Sequence, residues 1–174
     1  MLRFNLLAVC NMSSSLFLCL YTRSDNPGDY HWALTPRRVE PDDDVPYNPA
    51  NIFQIDLLYG TWFTEHKSVH LTHTSRFIGC IKLPTIHMDF RVLWDCLDAH
   101  SATAPYGYSF LHGVEWSCAE WVIELLRQLQ RGNYIGIELQ GFKERVNAAA
   151  DHMRVGNLGT VNQGGIRVYA HTWL

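Results

Sequence analysis

Trp116-Ser117-Cys118-Ala119-Glu120-Trp121-Val122-Ile123-Glu124-Leu125-Leu126-Arg127-Gln128-Leu129-Gln130-Arg131-Gly132 is the stretch that organises this chain. Trp121, Val122, Leu125, Leu126 and Leu129 recur at three- and four-residue spacing, which lays them along one face of an α-helix. Ser117 stands where an N-cap is needed and Glu120 follows three residues later, the capping-box pattern. Gly132 supplies the stop. A helix with so strong an apolar stripe needs a surface to pack on, and the residues before it supply one with a different period.

Leu16 to Tyr21 is an unbroken apolar run between polar residues and reads as a central strand. Asp25-Asn26-Pro27-Gly28-Asp29 turns the chain. In Tyr30-His31-Trp32-Ala33-Leu34 the pattern alternates. Tyr30, Trp32 and Leu34 share one face, and His31, Ala33 and Thr35 share the other. The two runs form an expected antiparallel hairpin. Residues 36–50, with Pro36 to Pro49 holding four prolines and three consecutive aspartates, read as an exposed loop whose acidic run is a solvated face. Ile52 to Leu58, Thr61 to Val69 and Arg76 to Leu83 add strands, separated by Tyr59-Gly60 and stopped by Pro84.

From Thr85 the period lengthens. Ile86, Phe90, Leu93, Trp94 and Leu97 predict a helix with Thr85 as its cap. Ser101 to Gly113 reads as loop, and a last helix runs from about Gln140 to Met153 with Phe142, Val146 and Ala149 turned inward. Residues 156–174 read as an irregular tail in which Ile166 to Tyr169 adds a short strand or packs on the surface. The fold class is α+β: an antiparallel sheet of about five strands packed against two to three helices. Residues 12–174 form one domain, with an extension over residues 1–11. The opening Met1 to Leu20 has the basic start and apolar clusters of a secretory leader. Its polar Asn11 to Ser15 splits the apolar part, however, and Leu16 to Tyr21 is needed as a strand.

Composition narrows the function classes. The chain has 174 residues, 47% of them hydrophobic and 18% charged, which excludes disorder over most of its length. No apolar run approaches the ~18 residues of a bilayer span. With 14 Lys and Arg against 17 Asp and Glu, the net charge of -3 argues against nucleic-acid binding driven by bulk charge. The five cysteines, at 10, 19, 80, 96 and 118, are odd in number and show no C-x-x-C spacing. That arithmetic speaks against a disulfide framework or a cysteine zinc site and for a reduced, cytoplasmic protein without a metal or cofactor.

Chemistry points to Cys118. It opens a strongly predicted helix, where free backbone N–H groups and the positive end of the helix dipole favour a thiolate. Cys19 and Cys80 lie inside apolar strands and Cys96 lies mid-helix, all better read as inert. Cys118 also precedes Trp121 and Val122 by three and four residues, so a buried, unreactive thiol is the competing reading. A nucleophilic thiol needs a base near neutrality, and His31 is the histidine set within a confident strand beside a tryptophan. His66, His70 and His73 form an H-x3-H-x2-H run. On a strand this reads as a polar, exposed end rather than a metal site. Trp116 and Trp121 flank Cys118, as pocket walls or, for Trp121, as core.

The order YHWAL early and S-C-A-E-W-V-I-E-L-L-R late resembles the circularly permuted papain-like thiol enzymes, among them the lecithin–retinol acyltransferase group. The wider run LFLCLYTR, PGDYHWAL, TWFTEHKSV, SRFIGCIKLP and WSCAEWVIELLRQL, covering roughly residues 13 to 131, is similar to a family of small uncharacterised fungal proteins. The resemblance implies a compact α+β fold with the His strand and the Cys helix packed together. It implies His31 as base, Cys118 as nucleophile, and an amide, ester or thioester in a small-molecule or peptide substrate. The third member, a His in the acyltransferase group, falls within Ile52 to Leu58, which contains none; Gln54 is the first substitute and Asp56 the second. Ser117 also replaces the Asn that many relatives place before the Cys. These departures leave a catalytically inactive binding module as the alternative. The acyltransferase group carries a hydrophobic anchor that finds no counterpart here, since Leu2 to Val9 is too short for a stable one. Oligomeric state is not legible.

Overall fold

The structure is a computed structural model that describes residues 12–40, 45–156, 160–161 and 165–170. The expected 1–11 extension, with Cys10, and the acidic run Asp42 to Asp44 lie outside the described residues. Strands β1 (Ser14–Thr22) and β2 (Tyr30–Arg38) pair antiparallel over their full length, with Tyr21 opposite His31 and Leu18 opposite Leu34. β2 therefore runs past Leu34 into the segment expected as loop. Pro36 is tolerated because β2 is the edge of the sheet and lacks a ladder partner on its outer side there.

Beyond β2 come β3 (Ala50–Ile52), β4 (Ile55–Leu58), β5 (Thr61–Thr64), β6 (Lys67–Val69) and β7 (Phe77–Lys82). The expected strands 52–58 and 61–69 are each broken in two. They form small antiparallel ladders, β3 with β6 and β4 with β5, outside the main sheet. The break in the first falls at Phe53 and Gln54. Phe53 exchanges backbone hydrogen bonds with Leu34 at 2.8 and 2.9 Å, and Gln54 is buried.

Four helices follow: α1 (Phe90–Ala99), α2 (Tyr108–His112), α3 (Cys118–Arg131) and α4 (Phe142–Arg154). α1 starts at Asp89, whose carboxylate accepts the Arg91 N–H at 2.8 Å, rather than at Thr85. Ile86 is instead bridged to Ser14 beside β1. α2 is a short helix within the segment expected as loop.

The tail adds β8 (Thr160–Val161) and β9 (Arg167–Ala170), giving a five-stranded sheet of order β2-β1-β7-β9-β8. β7 and β9 run parallel, Cys80 opposite Val168, so the sheet is mixed rather than antiparallel throughout. Parallel pairing needs a long crossover, and the helical half of the chain provides it.

Both faces of the sheet are covered. Leu16, Leu18, Leu20, Tyr30, Trp32 and Leu34 pack against α3 and α4. There the Trp32 ring meets Phe142 edge-on at 6.1 Å. Phe17, Cys19, Ala33 and Cys80 face the other way, under Ile52, Leu71 and Ile166. Each large side chain so buried stabilises the fold by about 1.5–3 kcal/mol before entropy is charged against it. No helix among the described residues is long and apolar enough to cross a membrane.

Candidate functional site

Cys118 is the first residue of α3. Ser117 caps the helix, its hydroxyl accepting the Glu120 N–H at 3.3 Å. The reciprocal half of the capping box does not form. The Glu120 carboxylate, itself buried, takes the Tyr108 hydroxyl and the Lys143 ammonium at 2.9 Å each. That anchors the first turn of α3 to α2 and α4. The apolar stripe through Trp121, Val122, Leu125 and Leu126 fixes the helix on the sheet, so the Cys118 sulfur is held at a defined height above β2.

His31 lies on the opposite face of β2 from Trp32, as the alternation of the strand dictates. It still reaches Cys118 because β2 is the edge strand: beyond it no ladder neighbour separates the two faces. Thiol and imidazole lie close enough for each to shift the other's titration. The same outer edge supplies a second donor to sulfur. The Leu34 N–H points outward to the Phe53 carbonyl, so the Trp32 N–H, two residues earlier, points the same way and donates to Cys118.

The third residue at the site is Gln54. Its side-chain oxygen faces His31 Nε2 at 3.0 Å and its amide nitrogen donates to Glu65 Oε2 at 2.6 Å. An ionised carboxylate only accepts, so Glu65 fixes which end of the amide points at the ring. His31 must then carry its hydrogen on Nε2, which leaves Nδ1 as the ring nitrogen able to accept. The Arg23 guanidinium, a donor only, stands 3.3 Å from Nδ1; the contact fits a hydrogen on Nε2, while the cation's charge opposes protonation of the ring. Lys67 closes the chain with an ion pair to Glu65 at 2.7 Å. Asp56 lines the same cavity but turns its carboxylate to the Leu57 N–H at 2.8 Å, and does not meet the imidazole.

The electrostatics follow from these contacts. Burial pushes the Cys118 thiol up, but the contact with His31, the charges of His31 and Arg23, and the Trp32 N–H together bring it below the usual thiol range. Burial pushes His31 down, yet the contact with Cys118 and the bond to Gln54 outweigh it and Arg23, so the imidazole is raised. The two shifts favour a thiolate beside an imidazolium.

Access differs between the two members. Cys118 is 2% exposed. A cavity of about 540 Å³ opens beside the imidazole, lined by Tyr21, Arg23, His31, Gln54, Lys67 and Arg76 among others, but not by Cys118. The two tryptophans are structural. Trp116 Nε1 donates to the Ala102 carbonyl at 2.8 Å and Trp121 Nε1 to that of Ser101 at 3.1 Å. The histidine run is dispersed. His66 packs on Phe53 and accepts the Gln54 N–H at 3.4 Å, while His70 and His73 stack on each other. Among the described residues, no group of three or more His, Cys, Asp or Glu side chains is arranged to hold a metal ion.

Sequence reasoning missed Glu65, Arg23 and Lys67. Glu65 and Lys67 stand at the break between β5 and β6, and Arg23 just past β1. A local signal existed only for Glu65, the one acid in the expected strand Thr61 to Val69, next to His66. No protein family, curated protein or solved structure matches the chain.

Proposed function

We propose that the protein is a cysteine-dependent hydrolase or acyltransferase acting on an amide, ester or thioester, built on a permuted papain-like arrangement in which the His strand precedes the Cys helix. The observation that carries this reading is the imidazole of His31, held in one tautomer by Gln54 and set against a thiol at the start of α3. The Cys118 thiolate attacks the carbonyl carbon, forming a C–S bond while the π electrons move to oxygen. The Cys118 N–H, free at the helix start, is one donor for that oxyanion. Collapse breaks the bond to the leaving amine, alcohol or thiol, which takes the proton from His31. Water or an acceptor nucleophile then gives its proton to His31 and attacks the acyl group, releasing the sulfur.

Iodoacetamide tests it. In the folded protein Cys118 is alkylated ahead of Cys96, and its rate holds as the pH falls from the usual thiol range to the lowered pKa of Cys118, dropping only below it. In His31→Ala the inflection moves up, since burial then acts on the sulfur with less opposition.

A second reading is a catalytically inactive module that keeps the fold for binding. The burial of Cys118 and its absence from the cavity wall favour it. Alkylation of native Cys118 no faster than that of Cys96 selects this reading over the first.

A further inference from the structure

The cavity beside His31 has an uneven charge lining. Three cations, Arg23, Lys67 and Arg76, face two carboxylates, Asp56 and Glu65. Glu65 is satisfied twice, by Lys67 at 2.7 Å and by the Gln54 amide at 2.6 Å. Asp56 is turned to its neighbour's backbone. Among the described residues neither Arg23 nor Arg76 meets a carboxylate: Arg23 touches only the His31 ring through its guanidinium, and Arg76 makes no side-chain hydrogen bond or ion pair. The two arginines are neighbours in the fold. The Thr22 N–H, one residue before Arg23, donates to the Arg76 carbonyl at 2.9 Å and ties the end of β1 to the approach to β7. Two guanidinium groups therefore flank one concavity with their donors unspent, in a chain whose net charge is -3.

Guanidinium groups in a cleft select planar or tetrahedral oxyanions, through charge-assisted and often paired hydrogen bonds. We propose that this cavity receives an anionic arm of the substrate, a carboxylate or a phosphate, held between Arg23 and Arg76. The proposal rests on the reading of Cys118 as nucleophile only in making the anion part of an acyl substrate; the anion site itself does not depend on it. The apolar part of the wall, Tyr21, Ile52, Leu57 and Val69, takes the carbon chain that joins this arm to the reacting carbonyl. His31 joins the two ends, since it lines the cavity and also interacts with the sulfur.

Calorimetric titration of the full chain with the α-amides of N-acetyl-L-glutamate and N-acetyl-L-glutamine, the second of which carries no charge, and with inorganic phosphate tests this. The expected result is that at least one anion binds about tenfold more tightly than the neutral glutamine compound, the value of one charge-assisted hydrogen bond. Whichever anion binds more tightly names the arm. Arg76→Gln removes the advantage. Arg131→Gln, at the far end of α3 and exposed, keeps it. Equal affinity for charged and neutral compounds, or an advantage that survives Arg76→Gln, overturns the proposal. Heat of binding does not require a reactive thiol. An inert Cys118 with intact anion binding therefore removes the nucleophile alone, and a reactive Cys118 without anion preference removes the anion site alone.

Discussion

Cys19 and Cys80 face each other across β1 and β7 inside the second core, while Cys118 sits where α3 meets the edge of the sheet. All three are sealed from solvent, at 0%, 0% and 2% exposure. Their titration goes opposite ways. Burial pushes Cys19 and Cys80 far above the usual thiol range, and the hydrogen bond from the Cys80 thiol to the Arg167 carbonyl at 3.5 Å stabilises the protonated form. Cys118 suffers the same desolvation and ends below that range, because an imidazole and a backbone N–H act on it and the charge of the Arg23 guanidinium adds to them. Depth alone does not decide whether a cysteine is inert; the donors at the same depth do.

The contrast can be erased most directly by removing the base. His31→Ala is expected to slow iodoacetamide labelling of Cys118 at neutral pH by about a hundredfold or more, the usual scale of a positioned acid–base partner. Labelling read by mass spectrometry then finds Cys118 as silent as Cys19. A smaller change comes from behind the imidazole. In Glu65→Ala the Gln54 amide is free to turn over, and the His31 hydrogen is shared between the two ring nitrogens. About a tenfold fall in labelling is expected, or about 1.4 kcal/mol, just under the ~1.5–3 kcal/mol worth of a hydrogen bond to a charged group. Nitrogen NMR of the His31 ring distinguishes this from mere loosening, since only a positioning role mixes the tautomers.

Ser117→Ala is expected to lower stability by about 1 kcal/mol through loss of the cap, seen as a shifted urea midpoint at unchanged slope. Its effect on Cys118 labelling should be only a few-fold, because the imidazole contact remains. The smallest effect sharpens the comparison from the other side. Cys80→Ala leaves Cys118 labelling unchanged, as the two sulfurs lie in separate cores. A Cys118 rate that follows Cys80→Ala would break the separation.

How far the sequence carried this depends on the range of each signal. The two-residue alternation of Tyr30 to Leu34 put His31 and Trp32 on opposite faces, and the stripe from Trp121 to Leu129 with Ser117 before it put Cys118 at a helix start. Both are local patterns, and both are present in the structure. Gln54 was reachable as the polar residue in the next extended segment. What a local pattern could not show was that this segment breaks at Gln54 and leaves the main sheet. Glu65, Arg23 and Lys67 come to the site through pairings between β3 and β6 and between the ends of β1 and β7, which leave no periodic mark. The β7–β9 pairing was illegible for the same reason. Antiparallel neighbours joined by a turn announce themselves, whereas parallel neighbours separated by four helices do not. Thr85 reads as the cap from the sequence because Ile86 fits the helical spacing. In the structure Ile86 belongs to the sheet side, bridged to Ser14.

That same parallel pairing sets the order in which the molecule can be finished. During synthesis β1, β2 and β7 leave the ribosome early, yet β7 keeps one flank open until residues 167–170 arrive, after every helix has been made. A nascent chain halted before that point exposes a row of unsatisfied amides in the middle of its future sheet. Assembly is therefore paced by its latest segment, and interrupted chains are the ones most prone to stick to each other.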